Sequence, residues 1–94
     1  MKQTAIAVAA LMSLACAGPA LASEALAKAN GCMNCHAVDT KKVGPSFKDV
    51  AAKFKGKADA EQTLVAQIGG AKGHPAVKAS PADLKAIVGW VLTQ

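Results

Sequence analysis

Cys32-Met33-Asn34-Cys35-His36 decides how the rest of this chain is read. It has the form C-x-x-C-H, the spacing of a covalent c-type haem attachment. Two thiols three positions apart can reach the two vinyl groups of one porphyrin and form thioethers. The histidine that follows is then held beside the iron, where its imidazole serves as the proximal ligand. Other readings use the same residues. The cysteines can pair as a structural disulfide in an oxidising compartment. They can form a thioredoxin-like redox pair, although no βαβ alternation surrounds them. Cys32, Cys35, His36 and His74 also supply enough donors for a zinc ion, although adjacent Cys35 and His36 make an awkward tetrahedral pair.

Upstream of the motif, Lys2 gives a positive start and Ala5 to Ala17 is apolar without a charge. Gly18 and Pro19 break that run, and Ala20-Leu21-Ala22 is an A-x-A cleavage signal. Residues 1–22 are therefore expected to be a secretory signal peptide, with residues 23–94 as a single domain. A membrane anchor is the competing reading, but the run is about 13 residues against the roughly 20 of a spanning helix. A lipoprotein site at Cys16 is a second competitor, and Ser13 stands where such a site wants a large apolar residue. The expected destination is the periplasm, with no stable membrane insertion after cleavage.

A domain this small obtains only a few kcal/mol from a hydrophobic core. Its aromatic residues are Phe47, Phe54 and Trp90, and tyrosine is absent. Such a chain needs a staple, and a covalently held haem is both staple and core. The net charge of +5 falls to +4 when Lys2 leaves with the signal peptide. All the basic residues are lysines, spread along the chain with no aromatic-interleaved basic patch, which argues against nucleic acid. A lysine-rich surface suits weak, steered docking on acidic partner proteins, and equally suits plain solubility.

The pattern is helical throughout, with no period-two run of β-branched residues. Helix one is expected over Ser23 to Asn30, with Ser23 as N-cap and Leu26 and Ala29 on its inner face. Helix two, about Ser46 to Lys55, carries Phe47, Val50, Ala51 and Phe54 on one face, and Gly56 ends it. Helix three, about Asp59 to Ile68, has Asp59 and Gln62 in a capping-box arrangement. Leu64, Val65 and Ile68 point inward, and Gly69-Gly70 stops the helix. An irregular loop runs to Ala79. Helix four then opens with Ser80 as N-cap, Pro81 in its first turn and Asp83 three residues after the cap. Leu84, Ile87, Val88 and Val91 form its apolar face. Gly89 inside it costs about 1 kcal/mol relative to alanine, and close helix packing is one reason to tolerate it.

Taken together, the chain resembles the small bacterial class I cytochromes c of the c-551/c-552 type. The resemblance is carried by Gly31-Cys32-Met33-Asn34-Cys35-His36-Ala37, by Lys42 to Ala51 and by Ile87-Val88-Gly89-Trp90-Val91-Leu92. It implies an all-α, single-domain fold of about four short helices around one covalent haem c. Cys32 and Cys35 would carry the thioethers, His36 would be the proximal ligand, and the Pro45 carbonyl would accept the other ring N–H of His36. The first and last helices would cross near Gly31 and pack against Trp90.

The family also places a methionine on the distal side, and here the match stops. Methionine occurs only at positions 1, 12 and 33. The first two fall in the expected signal peptide, and Met33 is tied to the proximal side between the two cysteines. In such relatives the ligand methionine lies sixteen positions before the tryptophan and precedes a proline. Here that position is His74, followed by Pro75. The resemblance therefore implies His36 and His74 on opposite faces of the iron, and a lower potential than in relatives with His/Met ligation. Lys72 and Lys78 are the other candidate donors. The implied function is single-electron transfer between redox proteins, as a free carrier or as a module of a larger assembly, without catalysis. An open or labile sixth position, binding a small gas molecule or giving peroxidase-like activity, is the alternative.

Overall fold

The computed structural model describes residues 19–94, with side chains from residue 23 onward. Most of the expected signal peptide lies outside the described residues. The elements are α1 (Pro19–Ala29), a 3₁₀ turn (Cys32–Asn34), α2 (Phe47–Phe54), α3 (Ala60–Gly69) and α4 (Pro81–Val91). The fold is all-helical, and no strand occurs among the described residues.

Helix α4 is the hub, packing against α1, α2 and α3. Its N-terminus follows the sequence pattern closely. The Ser80 hydroxyl accepts from the Asp83 backbone N–H at 3.2 Å, and Pro81 occupies the first turn, where its missing N–H costs nothing. Ser46 caps α2 in the same way, accepting from the Asp49 N–H at 3.1 Å. Leu84, Ile87, Val88, Trp90 and Val91 are all buried, and full burial of each of the four aliphatic chains stabilises by about 1.5–3 kcal/mol.

Two apolar clusters meet on α4. One holds Ala27, Phe47, Ile87, Trp90 and Val91, and the other holds Leu64, Leu84 and Val88. Val50 and Ala79 pack against both. Val65 and Ile68 of α3 are half-buried against the second cluster.

Several local expectations are corrected. Ser23 does not cap α1. In the full chain the alanine-rich stretch lets the helix reach back to Pro19, so Ser23 lies inside it, buried. The inner face of α1 is carried by Leu26 and Ala27, which is fully buried, whereas Ala29 is exposed. Asp59 makes no side-chain cap to α3. Its backbone sits at φ −97°, ψ 9° rather than in the extended region that turns a carboxylate back toward the first N–H groups. Its carboxylate faces the Thr63 hydroxyl instead, at 3.5 Å. A Cβ on Gly89 would meet nothing within 4 Å among the described residues, so no close helix contact there requires that glycine.

Helix α3 does end where Gly69-Gly70 is expected to stop it. Gly69 closes the helix and Gly70 is its C-cap, but the left-handed residue beyond is Ala71, at φ 51°. Lys72 then donates its N–H to Gln67 O at 2.9 Å, and Ala71 donates to Ile68 O, the pattern that satisfies terminal carbonyls at a helix end.

Candidate haem site

The site is assembled from the end of α1 outward. Asn30 closes that helix through its backbone and side-chain N–H groups, both donated to Leu26 O. Gly31, at φ 77°, takes the left-handed turn that sends the chain into the motif. Cys35 and His36 both donate their backbone N–H to Cys32 O, at 3.2 and 3.0 Å. This tight turn places Cys32, Cys35 and His36 on the wall of one cleft. The following loop is tied to the same turn, because Gly44 N–H donates to Cys35 O at 2.7 Å and Phe47 N–H to Ala37 O at 2.9 Å.

The cleft encloses about 450 Å³, within the usual range for a cofactor site. Ile68, Val77, Leu84 and Ile87 line it with apolar surface. The loop between α3 and α4 closes its far side, and His74 and Pro75 lie on that wall. A second depression of about 520 Å³, beside Phe54, Lys55 and Leu92, contains no cysteine or histidine. Donor chemistry, not size, therefore distinguishes the site.

The two histidines are brought together. Their ring centroids are 6.2 Å apart and their planes differ by 5°. His36 Nδ1 lies 2.7 Å from Pro45 O, and His74 Nδ1 lies 2.7 Å from Pro75 O. A carbonyl oxygen only accepts, so each Nδ1 is the donor, and in the neutral ring that tautomer leaves the lone pair on Nε2. Burial pushes the Cys32 thiol above its ordinary pKa, while its backbone hydrogen bond pulls the other way. A neutral thiol suits the apolar wall. Cys32 and Cys35 are not bonded to each other, which leaves both sulfurs available at the cleft.

These donors fit a haem and do not fit a bare metal ion. Among the described residues no three His, Cys, Asp or Glu side chains gather around a common metal position. The zinc reading therefore fails. An imidazole next to two thiols at C-x-x-C-H spacing suits a metal that arrives with its own equatorial ring of donors and is covalently attached.

The family model for cytochrome c matches residues 20–94. The chain belongs to the cytochrome c family. It is 46% identical over 92 residues to cytochrome c-552 of Nitrosomonas europaea, with 89% of each chain covered. It is 42% identical over 99 residues to cytochrome c-551 of Pseudomonas aeruginosa, covering 90% of this chain and 95% of that one. The crystal structure of wild-type Nitrosomonas europaea cytochrome c552 superposes with a TM-score of 0.66 at 43% identity, over 74% of this chain and 96% of that one. Haem c is accordingly the cofactor of this cytochrome c, held through Cys32 and Cys35.

Two residues at the site were not singled out for it by the sequence. Gly44 packs its backbone against the His36 ring: a Cβ there would stand 2.8 Å from Nδ1 and 3.0 Å from Nε2. Phe47, expected only as core, also stacks on His36 with centroids 5.2 Å apart. The glycine before Pro45 was the one available signal, and it cannot be read as ring contact without the fold. No helix among the described residues is long and apolar enough to cross a membrane.

Proposed function

We propose that this cytochrome c carries single electrons between redox proteins in the periplasm, with His36 and His74 as its two axial ligands. When bound, haem c supplies a one-electron couple between ferric and ferrous iron. The chain sets the conditions under which that couple works. The observation that carries the reading is the paired histidine geometry. Two metal–imidazole bonds of about 2.0 Å, one from each Nε2 with the rings edge-on to the metal, would put the ring centres roughly 6 Å apart. The observed spacing is 6.2 Å. The Pro45 and Pro75 carbonyls hold both rings in the tautomer that presents Nε2.

Histidine in place of methionine lowers the potential, because imidazole donates more strongly to ferric iron than a thioether does. The apolar lining of the cleft would lower the dielectric around the cofactor. With His36 and His74 both bound to the metal, no position would be left for a substrate. The loops at the cleft rim carry Lys41, Lys42, Lys72 and Lys78, all exposed. The acid on the first of these loops, Asp39, is paired with Lys48 at 2.6 Å. Val43, which lines the cleft, is 83% exposed. An apolar contact ringed by lysines suits brief docking on an acidic partner surface.

The test is ligand access. Carbon monoxide added to the reduced protein is expected to leave the absorption spectrum unchanged. A rapid spectral change would show an open or labile sixth position and favour gas binding over electron carriage.

A further inference from the structure

We infer that Gly44 and Phe47 are positioning residues that fix the rotation of the His36 imidazole, so that its plane is held parallel to that of His74. The inference rests on the reading of His36 and His74 as an axial pair. Three contacts bear on the His36 ring. The Pro45 carbonyl holds Nδ1 at 2.7 Å. The Gly44 backbone lies so close that even a methyl group there would overlap the ring atoms. The Phe47 ring stacks against it with an interplanar angle of 23°, and Phe47 is itself anchored edge-on to buried Trp90. A ring gripped at one nitrogen and packed against its face cannot turn about the axis through Nε2 without moving backbone or core. His74 is gripped at Nδ1 by Pro75 O. The result is the 5° angle between the two planes.

Plane orientation has an electronic consequence independent of donor identity. Parallel imidazoles direct their π orbitals at the same iron d orbital and split the d-orbital pair strongly. Crossed imidazoles act on both orbitals alike, and the splitting collapses. Electron paramagnetic resonance of the ferric holoprotein reads this directly. A rhombic low-spin spectrum with all g values resolved is the expected result. A single low-spin feature at a much larger g value, the sign of crossed planes, overturns the inference while leaving the axial pair intact. A high-spin spectrum overturns the axial pair itself, and the inference with it.

The positioning role is tested by substitution. Gly44→Ala is expected to shift the largest g value upward and narrow the rhombic splitting, while the protein stays low-spin. Phe47→Leu, which removes the stacked ring, is read the same way if Gly44→Ala yields no holoprotein. Gly89→Ala, outside the cleft, is the control and should reproduce the wild-type spectrum. A spectrum of Gly44→Ala identical to wild type, or a shift of equal size in Gly89→Ala, overturns the assignment.

Discussion

The Phe47 ring meets Trp90 edge-on, with centroids 5.4 Å apart and planes at 76°. Such pairs add about 0.5–1.5 kcal/mol beyond the area they bury. Phe47 also stacks on His36, so the first residue of α2 joins the core around α4 to the His36 imidazole. Removing it acts on both. Phe47→Ala is expected to destabilise the holoprotein by about 3–5 kcal/mol, measured by guanidinium unfolding followed through the haem absorption band. A change below about 1 kcal/mol would contradict the role of Phe47 in the core.

Gly89 offers the opposite sign. It lies inside α4, and a side chain there meets nothing within 4 Å among the described residues. Gly89→Ala is expected to stabilise by about 1 kcal/mol through helix propensity alone, seen as a higher Tm in a thermal scan. A lower Tm would reveal a close contact at that position.

Ala71 holds a left-handed conformation that costs a residue with a Cβ about 1–2 kcal/mol. Ala71→Gly relieves that cost and gives back part of it as unfolded-chain entropy. The net expectation is a gain of up to about 1 kcal/mol in denaturant unfolding, with the absorption spectrum unchanged because the loop keeps its path to His74.

Replacing His74 by methionine exchanges an imidazole for a thioether at the proposed axial position. His74→Met is expected to raise the midpoint potential by on the order of 0.1 V, a fraction of the roughly 0.8 V that axial ligands span. Potentiometric titration of both proteins checks this. An unchanged potential would mean that residue 74 does not reach the iron.

How much of this was legible in the sequence depends on how local each signal is. Ser80, Pro81 and Asp83 act within one turn, and their arrangement reads correctly because the cap needs nothing from the rest of the fold. The apolar face of α4 is equally plain, since its period of 3.6 matches the burial of Leu84, Ile87, Val88 and Val91. Asp59 shows the limit. Its residue type suits a cap, but the preceding turn, with Ala60 N–H bonded to Lys57 O, sets a backbone angle that the residue type does not encode. Ala27 and Ala29 are chemically alike, and only the packing of α1 on α4 makes one buried and the other exposed. At the site, the C-x-x-C-H spacing and the place of His74 are visible as sequence. The contact of Gly44 with the imidazole eight residues before it is not, because it depends on how the loop folds back over the motif.

The central claim is that His74 completes the coordination of the haem iron. The direct measurement is the ferric absorption spectrum of wild type and His74→Ala, with and without added imidazole. The expected result is a low-spin wild-type spectrum that imidazole leaves unchanged, and a high-spin spectrum in His74→Ala that free imidazole restores to the wild-type form. Coincident spectra for wild type and His74→Ala would contradict the account.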